Sequence, residues 1–378
     1  MPRRAIIFST TYFPLVGGAE VAMKEITDRL PEWQFDLVCA QIQSGLPPTE
    51  KIGNVTVHRV GLGLTIDKYL LPVFGSIRAL FLPGATTSVV WSLMASFGGF
   101  TALAFTWLHP SAKLLLTLQE GDPLEHYAKR AGSLQFLHEK IFQRANKIQA
   151  ISRFLAEWAT KMGFKGTPEV VPNGVDIAKF STHISSERRA ELRMSFGFSD
   201  SDVVLVTASR LSLKNGIDDL IRSLTSLPTN YKVLIAGEGE DRDKLTTLVA
   251  QKELKDRVVF LGAKNHDELP DILQSADIFV RASLSEGLGN SFLEAMAAGL
   301  PIVGTPVGGI PDFLTDGVTG VFCESRNPES IAKAVRRIQE EAGLREKLTL
   351  NGGMLVRERF DWNAIARRMN EILLSLDV

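Results

Sequence analysis

The chain of 378 residues carries 42 Lys and Arg against 43 Asp and Glu, and 45% of its residues are hydrophobic. A net charge of −1 excludes a protein that binds nucleic acid through a general excess of positive charge, and the composition is typical of globular proteins. The length suits two domains, each with its own core. The two cysteines, Cys39 and Cys323, exclude a disulfide framework and a zinc cluster, and they favour a reducing compartment.

The first half of the chain alternates strands and helices. A strand is predicted at Arg4–Ser9, a loop at Thr10–Gly18 and a helix at Ala19–Leu30. The apolar run of that strand is too short for a signal peptide. Further strands are predicted at Phe35–Ala40, Val55–Val60, Lys113–Leu118 and Lys147–Ile151. This alternation predicts a parallel sheet covered by helices.

One segment of the first half, Thr86–Leu108, contains no charged residue and is long enough to span a bilayer. It is also rich in Thr, Ser and Gly, with Gly98 and Gly99 near its middle. A buried helix of an α/β domain has the same composition, and we favour that interpretation. A transmembrane span and a membrane-facing helix remain alternatives.

The second half repeats the alternation after an extended crossing at Pro168–Asp176. Its first helix is predicted at Ser185–Ser195. Strands follow at Val203–Ala208, Lys232–Ala236, Val258–Leu261, Asp277–Val280 and Ile302–Gly304, with helices at Ile217–Leu227, Arg242–Leu254, Asp267–Ser275 and Ser291–Ala298. Two helical segments after Pro328 and an amphipathic helix at Trp362–Leu376 complete the chain. Two doubly wound α/β domains are therefore expected.

The most informative stretch is Asp277–Val303, which predicts a strand, a glycine loop and a short helix. Backbone N–H groups at such a helix start, together with the helix dipole, favour an anion. Glu286 lies in the loop and Glu294 in the first turn or so of the helix. Two carboxylates beside an anion site are suited to accept hydrogen bonds from hydroxyls. This combination fits a ligand with a diphosphate in its middle and a sugar at each end. Solvated surface charges are the alternative for each Glu alone.

This stretch resembles the E-x7-E segment of the retaining glycosyltransferases of family 4, which have the GT-B fold. The resemblance implies that Glu286 contacts the transferred sugar and Glu294 the nucleotide ribose. It also implies donor contacts at the intervening residues Leu288, Gly289 and Asn290. A nucleotide-diphosphate sugar is then the donor substrate, with no permanently bound cofactor.

The GT-B resemblance implies two Rossmann-like doubly wound domains that face each other across a cleft. We place an acceptor domain at residues 1–168 and a donor domain at 169–360, with the helix at 361–378 packing back on the first. Through Glu169 the chain holds 17 Lys and Arg against 13 Asp and Glu. This excess indicates an anionic acceptor or a membrane surface, and an undirected scatter of surface charge explains it equally well.

A first glycine loop, Pro14–Glu20, lies between the first strand and the first helix. Gly17 and Gly18 allow backbone to approach a phosphate or a sugar, and a plain turn is the alternative. The segment matches the P-x-x-G-G-x-E pattern near the start of family-4 glycosyltransferases. The resemblance therefore implies donor contacts at both glycines.

A second loop, Ser209–Gly216, carries Arg210 and Lys214. Positive charge is needed where a nucleoside diphosphate leaves, and Arg holds phosphate oxygens in a bidentate way. The loop resembles the G-R-L…K-G motif of the family, whose Arg and Lys bind the donor diphosphate. This chain departs from the motif because Asn215, and not Lys, precedes the glycine. Two surface cations near a turn are the alternative.

Two further glycine turns complete the expected donor site. Gly237 begins a G-x-G loop like the one that lies beside the nucleotide in the family, and Gly308–Asp312 fits the family's closing turn. The next residues, Asp241 to Asp243, spell the D-x-D motif of another glycosyltransferase fold. We reject a metal there because Asp241 is expected to cap a helix. The sequence contains no other metal cluster, so a metal-free mechanism is favoured.

The clearest departure from the family lies after the strand Lys113–Leu118. A His that contacts the sugar is common there, and this chain has Gln119. Gln119 can still form hydrogen bonds, and Glu120 and Asp122 are candidates to orient the acceptor. His109 and His126 lie nearby in the sequence, and both are expected to be structural.

The resemblance to family-4 glycosyltransferases implies a retaining glycosyltransferase that moves a hexose-type sugar from a UDP- or GDP-sugar to an acceptor hydroxyl, in glycan, glycolipid or cell-envelope polysaccharide synthesis. The alternatives are a GT-B epimerase or phosphorylase, and a non-catalytic scaffold subunit of the same fold. The expected partners are the nucleotide sugar and a glycan, lipid-linked or small-molecule acceptor, without nucleic acid. A cytoplasmic location is expected, with peripheral membrane association as an option. The sequence leaves open the donor base and sugar, the acceptor, the linkage and the oligomeric state.

Overall fold

The computed structural model describes residues 2–15, 17–83, 89–123, 132 and 135–377. Internal contacts divide the chain into two compact units. The first comprises Met1–Gly174 with Trp362–Val378, and the second comprises Val175–Asp361. The boundaries between the two units therefore follow Gly174 and Asp361. The sequence predicts these boundaries slightly earlier, after residues 168 and 360.

The first unit is built on an eight-stranded sheet in the order β3-β4-β2-β1-β5-β6-β7-β8. The strands are β1 (Arg3–Phe8), β2 (Trp33–Ala40), β3 (Thr49–Ile52), β4 (Val55–Val60), β5 (Val89–Leu93), β6 (Lys113–Leu118), β7 (Lys147–Ala150) and β8 (Glu169–Val170). Only the edge strand β3 pairs antiparallel, with β4. The central strands are apolar along nearly their whole length because helices cover both faces of the sheet.

The helices of the first unit are α1 (Gly18–Asp28), α2 (Asp67–Leu80), α3 (Phe97–Leu108), α4 (Gln135–Arg144), α5 (Arg153–Lys161) and the C-terminal helix α14 (Trp362–Leu374). Apolar side chains of α1 and α14 form one core with the sheet, and those of α2 and α3 form another. Trp33 Nε1 donates a hydrogen bond of 2.7 Å to Asn370 Oδ1 of α14. The last helix of the chain therefore belongs to the first unit.

The uncharged segment Thr86–Leu108 is not one helix. Its first three residues lie outside the described residues, and the rest forms β5 and α3, whose side chains are largely buried. Only the end of α3 is open, with Trp107 and Leu108 each 57% exposed. Among the described residues, every helix falls short of the length and apolarity that crossing a bilayer requires.

The second unit is built on a six-stranded parallel sheet in the order β11-β10-β9-β12-β13-β14. The strands are β9 (Val203–Ala208), β10 (Tyr231–Ala236), β11 (Val258–Gly262), β12 (Ile278–Arg281), β13 (Ile302–Gly304) and β14 (Val321–Phe322). The helices are α6 (Ile177–Ser181), α7 (Ser186–Ser195), α8 (Ile217–Ser223), α9 (Arg242–Gln251), α10 (Leu269–Ser275), α11 (Asn290–Ala297), α12 (Pro328–Glu340) and α13 (Leu344–Arg359). All five predicted strands are present. The short edge strand β14 is additional.

The order of the second sheet reverses at β9, which has β10 on one side and β12 on the other. Open parallel sheets bind ligands at the carboxyl ends of the strands that flank such a switch point. The amino end of β12 is fixed by Asp277, whose carboxylate pairs with Arg193 and Arg189, each at 2.7 Å. The loops that leave β9 and β12 at the opposite end are therefore carried by a firmly anchored pair of strands.

Candidate functional site

The loops after β9 and β12 in the second unit lie side by side. The first contains Arg210, a short 3₁₀ turn at Leu213–Asn215, and Gly216, which leads into α8. The second runs from Ala282 to Gly289 and leads into α11. The backbone N–H of Leu284 donates to the carbonyl oxygen of Lys214 across a distance of 2.6 Å. The two predicted donor-binding segments are thus joined through their backbones.

Arg281, the last residue of β12, holds these loops together. One guanidinium nitrogen lies 2.7 Å from Asn215 Oδ1 and 2.6 Å from Glu286 Oε2, and another lies 2.9 Å from Ser291 Oγ. Asn215 in turn donates to the carbonyl oxygen of Arg210 at 2.6 Å. Arg281 therefore connects the Arg210 loop, the Glu286 loop and the first turn of α11.

Glu286 is buried beside this arginine. Its side chain is 11% exposed, and its Oε2 faces Arg281 while its Oε1 accepts from the N–H of Gly287 at 3.2 Å. A buried carboxylate is costly unless it is paired, so Arg281 explains how a negative charge is held at this edge. The carbonyl oxygen of Glu286 accepts from the N–H of Gly309 at 3.1 Å, which ties this loop to the turn after β13.

Glu294 lies in the second turn of α11, later than the sequence predicts. It is 8% exposed, and its Oε1 is 3.8 Å from His266 Nδ1. Burial raises the pKa of Glu294, although the charges of His266, Arg281 and Lys179 oppose that shift. The carboxyl group is held within an otherwise cationic group of side chains.

Arg210 and Lys214 lie on the open side of the β9 loop. Arg210 is exposed, and the described residues provide no ion-pair partner for its guanidinium. Lys214 is half-buried, and its backbone is fixed by the bond to Leu284. Asn215, which takes the place of the usual lysine, is 2% exposed because both ends of its amide are bound. The side chain of Asn215 therefore links the carbonyl group of Arg210 to Arg281.

Several buried polar atoms at these strand ends have no hydrogen-bond partner among the described residues. They are Thr207 Oγ1, Ser209 Oγ, Arg281 Nε, Ser283 Oγ and Glu286 Oε2, the last of which is ion-paired with Arg281 without forming a hydrogen bond. Unpaired buried donors and acceptors are rare in folded proteins because each one costs free energy. Their concentration at the ends of β9 and β12 marks this edge as suited to a polar ligand.

Two glycines are required by close approaches of the loops at this edge. Gly237 has φ of +146°, and a Cβ there would lie 1.9 Å from the carbonyl oxygen of Ser209. Gly308 has φ of +56°, and a Cβ there would lie 1.8 Å from the carbonyl oxygen of Glu286. A larger residue at either position would push apart the loops that carry the candidate side chains. Leu288, Gly289 and Asn290 complete the turn into α11.

The D-x-D sequence at Asp241–Asp243 stands at the start of α9. Asp241 occupies the N-cap position, but its side chain makes no capping hydrogen bond, contrary to the sequence prediction. It pairs instead with Lys244 Nζ at 2.6 Å, which neutralises the charge in another way. In the described ranges, no three His, Cys, Asp or Glu side chains are grouped as metal ligands would be.

Gly17 and Gly18 lie in the first unit at the start of α1, and both are exposed. Gly17 has an extended backbone with φ of −123°, so a left-handed conformation is not its reason for being glycine. Its N–H donates to Glu20 Oε2 at 2.7 Å, and the first N–H groups of a helix have no carbonyl partner within the helix itself. The geometry is that of an accessible helix start.

Gln119, Glu120 and Asp122 follow β6 in the first unit, and they have different surroundings. The side-chain oxygen of Gln119 accepts from Asn173 Nδ2 at 2.9 Å. Glu120 is 1% exposed, and its Oε1 accepts from the N–H of Ala95 at 2.7 Å. Burial raises the pKa of Glu120 to about 7. Asp122 is half-buried.

The loop between β5 and α3 is held from two sides. Glu120 binds the N–H of Ala95, and His138 Nε2 lies 2.9 Å from the carbonyl oxygen of the same residue. The preceding Met94 has φ of +66°, an uncommon conformation for a residue with a side chain. Glu120 and His138 thus fix an unusual backbone, and Glu120 is too buried to reach an acceptor directly. Of the two histidines expected to be structural, His109 bonds to Ser111 at 2.9 Å, and His126 lies outside the described residues.

Sequence reasoning missed Arg281 as the residue that organises the site. The residue ends a run that otherwise predicts a buried strand, so the pattern of that run did not single it out. An arginine at the end of such a strand, five residues before Glu286, is a detectable pattern because a charge at a buried position requires a partner.

Comparisons with known proteins concern the sequence of the second unit and the overall fold. Residues 188–354 match the family model of glycosyl transferases group 1. A glycosyltransferase of Methanocaldococcus jannaschii, MJ1607, is 37% identical over 207 residues, which cover 53% of this chain and 53% of that protein. The aligned region thus spans about half the length of this relative.

A GDP-mannose-dependent monoacylated α-(1-6)-phosphatidylinositol monomannoside mannosyltransferase of Corynebacterium glutamicum is 28% identical over 255 residues, covering 65% of this chain and 66% of that protein. Among solved structures, Anabaena HepE in complex with UDP and glucose superimposes with a TM-score of 0.82 at 20% identity, covering 99% of this chain and all of that one. The chain has the GT-B fold.

Proposed function

We propose that the protein is a retaining glycosyltransferase that moves a hexose-type sugar from a UDP- or GDP-sugar to an acceptor hydroxyl. One observation carries the proposal: Arg281 bridges the Arg210–Lys214 loop and Glu286 at the switch point of the second sheet. Cations from one loop and a carboxylate from the next are the groups that separation of a sugar from a nucleoside diphosphate requires. Synthesis of a glycan, glycolipid or cell-envelope polysaccharide is the corresponding process.

The proposed role of Arg210 and Lys214 is to stabilise the departing diphosphate. Arg210 is exposed at the edge of the sheet, so its planar guanidinium is available for two phosphate oxygens. Lys214 adds a second positive charge in the same loop. The start of α11, with Leu288, Gly289 and Asn290, offers backbone N–H groups to the same anion.

The proposed role of Glu286 is to orient the transferred sugar, and that of Glu294 is to bind the ribose. Both carboxyl groups are buried, Glu286 in an ion pair with Arg281 and Glu294 3.8 Å from the His266 ring, and carboxyl oxygens in such positions are suited to accept hydrogen bonds from hydroxyls. Loss of the Glu286 carboxylate would leave Arg281 without its buried counter-charge.

Transfer with retention breaks the bond between C1 of the sugar and a phosphate oxygen, and it forms a bond from C1 to the acceptor oxygen on the same face. In the proposed mechanism the acceptor proton passes to the leaving phosphate oxygen. A protein base is then unnecessary, which is consistent with the pairing of Glu286 to Arg281. Gly17 and Gly18 are proposed to contact the donor, Gln119 and Asp122 the sugar or acceptor, and Glu120 is proposed to position the β5–α3 loop.

The proposed donors, UDP- and GDP-sugars, are of the kinds named for related proteins. HepE is described in complex with UDP and glucose, and the Corynebacterium enzyme as GDP-mannose-dependent with a phosphatidylinositol mannoside substrate. We propose a glycan, lipid-linked or small-molecule acceptor in a cytoplasmic setting. The buried free thiols of Cys39 and Cys323 support a reducing compartment.

Calorimetry and product analysis with UDP-, GDP- and ADP-sugars test the proposal. We expect one nucleotide sugar to bind and to give a product whose anomeric configuration, assigned by NMR, matches that of the donor. An inverted product would refute retention. Failure of every nucleotide sugar to bind would favour the scaffold alternative, and donor isomerisation without acceptor would favour an epimerase.

A further inference from the structure

Helix α2 of the first unit has a second apolar face that points to solvent. It consists of Ile66, Tyr69, Leu70, Val73, Phe74, Ile77, Leu80 and Phe81, with exposures between 36% and 78%. We call this set the α2 face. The positions recur every three or four residues, so they form one continuous stripe along the helix.

The opposite face of α2 accounts for the packing of the helix. Leu71, Gly75 and Ala79 are buried there. A Cβ at Gly75 would lie 3.0 Å from Thr101 Cγ2, which shows how closely α2 approaches α3. The core therefore needs only one side of this helix. A surface helix usually carries polar residues on its outer side, and this one does not.

The loop before α2 extends the apolar surface. Leu62 and Leu64 are 82% and 54% exposed. Asp67 fixes the loop, since its Oδ2 accepts from the N–H groups of Leu62, Gly63 and Leu64 at 2.7, 2.8 and 3.0 Å. The exposed leucines are thus held in place beside the helix by a buried carboxylate.

The concentration of apolar groups is unusual for this chain. Of the nineteen exposed large apolar side chains among the described residues, ten lie between Leu62 and Phe81. Single exposed apolar residues are normal on protein surfaces, but a contiguous group marks a site of interaction.

The charges around the α2 face decide what kind of surface it fits. From Gly61 to Ala112 the chain has only three charged residues, Asp67, Lys68 and Arg78. Asp67 is 1% exposed, whereas Lys68 and Arg78 are half-buried, with Arg78 Nη2 3.3 Å from His58 Nδ1, so the accessible charge of this segment is positive. Lys68 Nζ lies 5.2 Å from the ring centroid of Tyr69, at the border of the apolar stripe.

We propose that the α2 face docks on an anionic lipid membrane. Apolar and aromatic side chains enter the headgroup boundary, while flanking Lys and Arg are attracted to anionic lipids. A second copy of this chain is a poorer occupant, because pairing of two α2 faces would bring Lys68 and Arg78 towards their counterparts with no exposed carboxylate between them. The α2 face belongs to the first unit, and the candidate donor site belongs to the second.

Sedimentation with vesicles tests the proposal without donor or acceptor, so the result is independent of the proposed function. We expect the protein to bind vesicles containing about one-third phosphatidylglycerol about tenfold more strongly than vesicles of phosphatidylcholine alone. Lys68→Gln should weaken this binding about fivefold. The double variant Phe74→Ser with Ile77→Ser should weaken it about tenfold or more, since both apolar groups leave the bilayer.

A matched control is available on α13 of the second unit. Leu350 and Met354 are 61% and 46% exposed, close to the 54% and 44% of Phe74 and Ile77. Leu350→Ser with Met354→Ser should leave vesicle binding unchanged. Absence of binding to anionic vesicles, or equal loss in both double variants, would overturn the proposal. A lipid-free dimer that Phe74→Ser with Ile77→Ser converts to monomer would assign the face to a second copy instead.

Discussion

Arg281 and Glu286 form a buried ion pair with 2.6 Å between a guanidinium nitrogen and Oε2. The same guanidinium binds Asn215 and Ser291, so one side chain ties the ends of β9 and β12 to the start of α11. A guanidinium presents its donors from several nitrogens in one rigid plane, so it fixes these three partners in a defined geometry, whereas the donors of an ammonium group share one atom at the end of a flexible stem. The position of Glu286 is therefore set by a residue that belongs to the strand and not to the loop.

Arg281→Lys is expected to lower kcat on the order of 10²-fold while leaving the fold intact. The lysine keeps the charge but loses the bonds that fix Asn215 and Ser291, so Glu286 and Arg210 are no longer held in their positions relative to each other. Steady-state kinetics should show the loss mainly in kcat. Arg193→Lys is the matched control, because Arg193 is also buried and pairs with Asp277 at the other end of β12. It should reduce stability while leaving turnover per folded molecule unchanged; an equal kinetic loss would contradict a positioning role for Arg281.

Arg210→Ala is expected to lower kcat by roughly 10²- to 10³-fold, because the departing diphosphate loses a positive partner. Unfolding should be unaffected, since Arg210 is exposed. Single-turnover rates with the donor found in the screen measure the effect. Arg188→Ala, which removes an exposed arginine paired with Asp271 on the α7–α10 side, serves as control. Near-normal rates in Arg210→Ala would remove this residue from the site.

Glu286→Gln is expected to keep the shape of the site but to leave Arg281 without its counter-charge. We expect weaker binding of the sugar part of the donor, with little change in binding of the free nucleoside diphosphate. Calorimetric titration with the donor and with its nucleoside diphosphate separates the two. Equal loss of affinity for both ligands would show that Glu286 supports the diphosphate and not the sugar.

Glu120 is expected to make the stability of the first unit depend on pH. Its pKa is about 7 in the folded protein and near 4.5 when unfolded, so the folded state binds the proton more tightly. The resulting stability is fully present below pH 4.5 and is lost as pH rises through 7, with an amplitude of at most about 3 kcal/mol. Glu120→Gln should remove this dependence while keeping the bond to the N–H of Ala95.

The measurement for Glu120 can be confined to the first unit. All five tryptophans (Trp33, Trp91, Trp107, Trp158 and Trp362) lie there, so their fluorescence in denaturant titrations reports that unit alone. The difference in unfolding free energy between the wild type and Glu120→Gln should change between pH 4.5 and 7. A difference that is constant over this range would show that Glu120 does not titrate there.

Asp277→Asn is expected to destabilise the second unit by about 3 kcal/mol, because three arginines lose their shared carboxylate. Burial alone would raise the pKa of Asp277, but the N–H of Val204 and the three arginines outweigh it and lower the pKa. This contribution is present above the pKa of an unfolded Asp and is lost as pH falls below it. In denaturant titrations, circular dichroism should show that the second unit unfolds at a lower denaturant concentration, while the unfolding of the first unit, followed by tryptophan fluorescence, is unchanged. A shift in both signals would indicate that the two units unfold together.

The sequence alone determined the periodic parts of this protein. Strands such as Val203–Ala208 and Tyr231–Ala236 are continuous apolar runs, and a buried strand can hardly have any other composition. Glycine turns such as Gly237 and Gly308 were predictable because the backbone there excludes other residues. The sequence therefore predicted the fold class and the loops of the candidate donor site.

Tertiary structure decided what depends on partners distant in the chain. Thr86–Leu108 lacks charge whether it forms one helix or a strand and a helix, and only packing against β1, β6 and α2 distinguishes them. The exposed side of α2 has the same apolar residue types as a helix that is buried in a core. Arg281 acquires its role from Asn215, which is 66 residues away in the chain. Local pattern fixes where strands and turns form, whereas a buried charge and an exposed apolar stripe are defined by neighbours that only the folded chain brings together.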